Sequence, residues 1–246
     1  MARVIRLFWR LDYEPSYAFM DRRGTALQIL KDHVEGYWQQ VADGTIQTSF
    51  VGKSSSPEHA RQLSLEPTSM NGSMDWPAGL EVGRVLESPE FRKLDRLVKA
   101  LIDHCEIRLL KRAGVRTFSV EQLSPRADAR ETIVASISSG MRRVIEEKIG
   151  KINDLAYVFE GKGDDDLGYR VQFGPYEKKN AEMTLQRQLT EEEAKVLSGN
   201  DLFFDIDLFE NNISFAEHSL GRWARTKLEK TSDLLRSYQQ FQKLSA

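Results

Sequence analysis

Over residues 4–13 apolar and polar positions alternate, with Ile5, Leu7, Trp9, Leu11 and Tyr13 on one side and Arg6, Arg10 and Asp12 on the other. A period of two marks a strand with one buried face. The period then changes: Leu27, Leu30, Val34, Tyr37, Trp38 and Val41 recur at three and four, which predicts an amphipathic helix ending at Asp43-Gly44. Short strands are expected over residues 46–51, 60–65 and 80–86, with Ser54-Ser55-Ser56-Pro57 and the stretch 71–77 as turns between them. Ser88-Pro89 reads as an N-cap followed by proline in the first helical turn, and Leu94, Leu97, Val98, Leu101 and Cys105 supply that helix with a buried stripe.

The same order then returns. Residues 107–110 and 115–120 flank Ala113-Gly114, as a hairpin or one strand kinked at the glycine. A helical stripe runs through Ile133, Ile137, Met141, Val144, Ile145, Ile149 and Ile152, but Ser136, Ser138, Ser139 and Gly140 weaken its first half, so the helix is expected after Gly140. Strands over 156–159 and 169–173 enclose an acidic hairpin tip at Asp164, Asp165 and Asp166, and 183–189 adds a further strand. Thr190 with Glu193 forms a capping box for a short helix, and 202–209 makes the last strand. Ser214 with Glu217 caps a terminal helix whose stripe is Leu220, Trp223, Ala224, Leu228, Thr231, Leu235, Tyr238 and Phe241. Unbroken over 215–243, that helix would be about 43 Å long, comparable to a folded chain of this size at about 45 Å across.

The expected fold is therefore α+β: two similar strand-helix-strands-helix units, 1–105 and 106–246, forming a mainly antiparallel sheet with helices on one face. The likeness between the units lies in element order and not in residue identity.

Composition narrows the function classes. At 246 residues and 40% hydrophobic the chain can bury a substantial core, and 35 basic against 37 acidic residues leave a formal charge of -2, too balanced for the broad positive field of a nucleic-acid coat. One cysteine, Cys105, permits no internal disulfide, and no apolar run is long enough for a leader or a membrane span, so a cytoplasmic protein is expected.

Two stretches carry a resemblance. Ile107-Arg108-Leu109-Leu110-Lys111-Arg112-Ala113-Gly114-Val115-Arg116-Thr117-Phe118 is similar to the central strand, with its arginine, glycine and second arginine at alternate positions, of a sporadically distributed prokaryotic protein family of unknown function. Leu202-Phe203-Phe204-Asp205-Ile206-Asp207-Leu208-Phe209 resembles that family's late aspartate-bearing strand, which a long C-terminal helix follows. Thr117-Phe118-Ser119 stands where the family has an aromatic-asparagine pair. The resemblance implies a fold, and a setting beside a partner in an accessory or defence-type gene cluster, without an activity.

Candidate chemistry is sparse. Asp205 and Asp207, two apart on a strand, project from one face, so they could begin a Mg²⁺ site for phosphoryl transfer, with Arg112 or Arg116 holding a phosphate. The alternative is that these arginines simply pair with the aspartates across neighbouring strands. The acidic tip lacks the alternating donors of a calcium loop, and Gly161-Lys162-Gly163 is no phosphate cradle, so no cofactor is expected. His104 and Cys105 are neighbours on a helix and point about 100° apart, which reads Cys105 as a core thiol and not a nucleophile. The terminal helix is locally basic: Arg222 and Arg225, with the aromatic residues Trp223, Tyr238 and Phe241, form a candidate partner-binding surface.

The first expectation is thus a non-catalytic interaction or assembly protein, a homo-oligomer or an accessory subunit with a protein partner. A metal-dependent enzyme acting on phosphodiesters or nucleotides is the alternative, and nucleic-acid binding by the basic helix a third reading.

Overall fold

The alternating segment at the N-terminus becomes the central strand of a nine-stranded sheet, with four strands on either side of it. The computed structural model describes residues 2–33, 37–42, 49–53, 61–123, 128–135, 137, 139–152, 155–163, 166–176, 182, 191, 194, 201–214 and 219–245. Among these, the strands are β1 (Arg3–Tyr13), β2 (Tyr37–Ala42), β3 (Ser49–Lys53), β4 (Arg61–Leu65), β5 (Ser69–Leu80), β6 (Leu109–Gln122), β7 (Tyr157–Lys162), β8 (Gly168–Tyr176) and β9 (Asp201–Ser214). The helices are α1 (Tyr17–Asp21), α2 (Arg23–His33), α3 (Val82–Val85), α4 (Pro89–His104), α5 (Ala129–Ala135), α6 (Ser139–Lys148) and α7 (Leu220–Ser245).

The sheet order is β2-β3-β4-β5-β1-β6-β9-β8-β7, with every neighbouring pair antiparallel. Outward from the β1/β6 junction each half runs in the same way: its first strand, its last strand, then backwards along the chain. The α+β class with helices on one face is what the sequence predicts. One core serves both halves. Leu7, Trp9 and Leu11 of β1, Met70 and Met74 of β5, Ala113 and Val115 of β6 and Phe204, Ile206 and Leu208 of β9 face Leu30, Phe91, Leu97, Leu101, Leu228 and Leu235 from the helices.

Caps account for several helix ends. The Ser88 hydroxyl accepts from Phe91 N at 3.2 Å and donates to the Val85 carbonyl at 2.7 Å, with Pro89 opening α4, as its position in the sequence predicts. Ser16 caps α1 by accepting from Phe19 N at 3.0 Å and donates to the carbonyl of Cys105 at 2.7 Å, tying α1 to the end of α4.

Elsewhere the structure corrects the pattern. The helix predicted through Val41 ends at His33, and Tyr37–Ala42 is a strand. Tyr, Trp and Val favour a pleated surface, so pairing with β3 outweighs a helical spacing that happens to fit. The turn predicted over 71–77 lies within β5, between β4 and β1. Ladder bonds to both neighbours override its turn-forming residues. Pro77 is tolerated because it falls beyond Met74, the last partner of β4, and within the register shift against β1 between Val4 and Arg6. Past β5, residues 82–85 make a helical turn where a strand was expected. Gly79 sits there at φ +70, and a Cβ on it would lie 2.7 Å from Cβ of Arg3.

Leu109–Gln122 is one strand carried through Gly114, so the hairpin alternative does not hold. The stripe from Ile133 onward divides into α5 and α6. The terminal helix starts later than the sequence predicts: Ser214 closes β9, and Ser219 caps α7 by accepting from Arg222 N at 3.2 Å. The expected strand over 183–189, the Thr190/Glu193 and Ser214/Glu217 capping boxes and most of the acidic tip involve residues outside those described. Among the described residues no helix is long and apolar enough to cross a membrane.

Candidate functional site

The sheet face opposite the helices carries the polar side chains of the alternating strands, and register arranges them in rows. One row reads Ser73, Phe8, Arg116, Asp207, Arg170 and Glu160 across β5, β1, β6, β9, β8 and β7. The next reads Asp75, Arg6, Phe118, Asp205, Gln172 and Val158 on the same strands. Asp205, Asp207, Arg112 and Arg116 therefore share one face.

Their pairing is diagonal between the rows. Arg116 donates through Nε and Nη2 to Oδ1 and Oδ2 of Asp205 at 2.7 and 2.5 Å, a two-pronged charge-assisted contact on a carboxylate that is only 5% exposed. Arg170 approaches the same carboxylate at 3.9 Å and donates to Glu160 at 2.7 Å. Arg112 lies 3.9 Å from Asp207 and stacks over the ring of Phe209 at 3.9 Å. That ring covers Gly168, where a Cβ would meet it at 2.3 Å, so Phe209 can lie across β8 only because residue 168 has no side chain. Arg6 with Asp75 at 3.2 Å and Arg10 with Asp12 at 2.8 Å extend the pattern onto β1 and β5.

The electrostatics follow from this geometry. The hydrogen bond to Asp205 leads the causes that hold the Arg116 guanidinium more firmly protonated than usual, and partial burial opposes it. Burial pushes the Asp207 carboxyl above its ordinary value, and the nearby Arg112 and Arg116 offset this only in part. Along the face, Arg6, Arg10, Arg112, Arg116 and Arg170 are matched by Asp12, Asp75, Asp205, Asp207 and Glu160, so the charges cancel locally. A guanidinium fork occupying both oxygens of Asp205 leaves the pair poorly disposed to a cation, and among the described residues no group of three His, Cys, Asp or Glu side chains could hold a metal.

The terminal-helix candidates separate. Trp223 is buried, with Nε1 donating to Glu210 at 2.9 Å, and the same carboxylate receives the ammonium of the buried Lys227. Tyr238 stands edge-on to Phe173 and Phe204, at 4.9 and 5.0 Å between ring centroids. Both aromatic residues thus serve the protein's own core, whereas Arg222 and Arg225 are exposed. The side chain of Phe241 is outside those described. At the start of the helix, Asp95 of α4 accepts from Gly221 N at 2.7 Å, fastening α7 to α4.

Cys105 is buried, and burial pushes its thiol up to about 11. It stays protonated near neutrality, as a core thiol does. Beside it, burial first and then the neighbouring Cys105, Glu66 and Asp12 push the Tyr13 hydroxyl far up, consistent with a neutral donor to the Glu66 carbonyl at 2.7 Å.

Sequence reasoning missed Arg6, Asp75, Arg170 and Glu160. The alternation of their strands placed Arg6 and Arg170, but Asp75 fell in an expected turn, Glu160 lay beyond the expected strand, and all four partners depend on register between distant strands. It also missed the exposure of α6. That helix buries no residue: Met141 (61%), Val144 (56%) and the following Ile149 (85%) are exposed, and Ile145 between them is half-buried. On the edge strand β7, Val158 and Phe159 are each half exposed.

No protein-family model matches the chain, and a comparison with curated proteins finds no match.

Proposed function

We propose that this chain is a non-catalytic interaction or assembly protein that makes its contact through α6. The observation that carries this reading is the exposure of Met141 and Val144 on α6, and of Ile149 just beyond it, in a helix whose spacing is that of a core-facing element. Amphipathic helices in a lone globular protein turn such a stripe inward, and covering each of these side chains is worth about 1.5 to 3 kcal/mol at most. The cluster of exposed apolar residues therefore supports a partner surface. The matched arginine-carboxylate face agrees with a protein held together by internal pairing, and the metal-dependent alternative draws less support because its proposed ligands already bind guanidinium groups.

The resemblance in the Arg112/Arg116 and Asp205/Asp207 strands fits an accessory subunit of a multiprotein, defence-type bacterial system. The shared strand order on either side of β1/β6 supports reading the halves as copies of one unit, and a buried free thiol at Cys105 agrees with a cytoplasmic setting.

The test compares wild type with Met141→Glu/Val144→Glu by light scattering and affinity capture. Because Met141 and Val144 are exposed, the variant should keep the wild-type circular dichroism spectrum and thermal midpoint while losing association. A folded variant that associates as wild type does would remove α6 from the role.

A further inference from the structure

We draw no further inference here: the strongest candidate, the outer edge of β7, which among the described residues pairs with β8 alone and holds Val158 and Phe159 half exposed on opposite sides of the sheet, carries nothing because nothing in the structure shows what covers it.

Discussion

Arg116 and Asp205 lie two positions out of direct cross-strand register, since Arg116 is opposite Asp207, yet the guanidinium reaches diagonally to the buried carboxylate. Asp207 is left with a more distant arginine and a burial penalty that raises its carboxyl. The folded protein then keeps a proton on Asp207 at pH values where the unfolded chain has released it. Between the ordinary carboxylate value of about 3.9 and the raised folded value, the native state binds more protons, so this group's contribution to stability falls as pH rises and then levels off. Asp207→Asn removes that dependence. Urea unfolding of both proteins at a series of pH values should show the variant gaining on wild type as pH climbs from about 4, with a constant difference near neutrality. Parallel profiles throughout would contradict this account of Asp207. The sequence placed both aspartates on one face because a strand's period demands it. It held no information on which arginine each would meet, since Arg170 and Arg116 arrive from strands far apart in the chain.

Among the elements, those with local causes were readable: α4 from Ser88-Pro89 and its stripe, and the β7/β8 hairpin from its flanking apolar runs. Those decided by neighbours were not. The Tyr37–Ala42 segment fits a helical spacing until β3 pairs with it, and the turn residues of β5 are overruled by strands on both sides. In α7 the stripe was legible, but whether it would meet the protein's own core or a partner was not. Leu220, Trp223, Leu228 and Leu235 are buried, and at about 1.5 to 3 kcal/mol each their loss would rival a typical total stability of about 5 to 15 kcal/mol. A truncation after Ile213 should therefore lose its cooperative thermal transition by calorimetry. A truncated protein that melts like wild type would show that α7 is not part of the core.

At the scale of the whole molecule, β1 and β6 join the two halves into one sheet over one interior, so the unit likeness visible in element order gives a continuous structure. Continuity also decides where contact with another protein can occur. The helical face is occupied by α4 and α7, the opposite face is charge-matched, and among the described helices α6 buries no residue, with Met141 and Val144 exposed. The pattern of α6 was legible as an amphipathic helix, but its exposure depends on what the rest of the chain covers, which no local spacing encodes. Amide hydrogen exchange on the wild-type protein, compared between its dilute and associated forms, tests this most directly. Added protection should be confined to residues 139–149, with the exposed side of α7 unchanged. Protection that appears along α7 or the arginine-rich face, and leaves α6 exchanging as in the dilute protein, would contradict it.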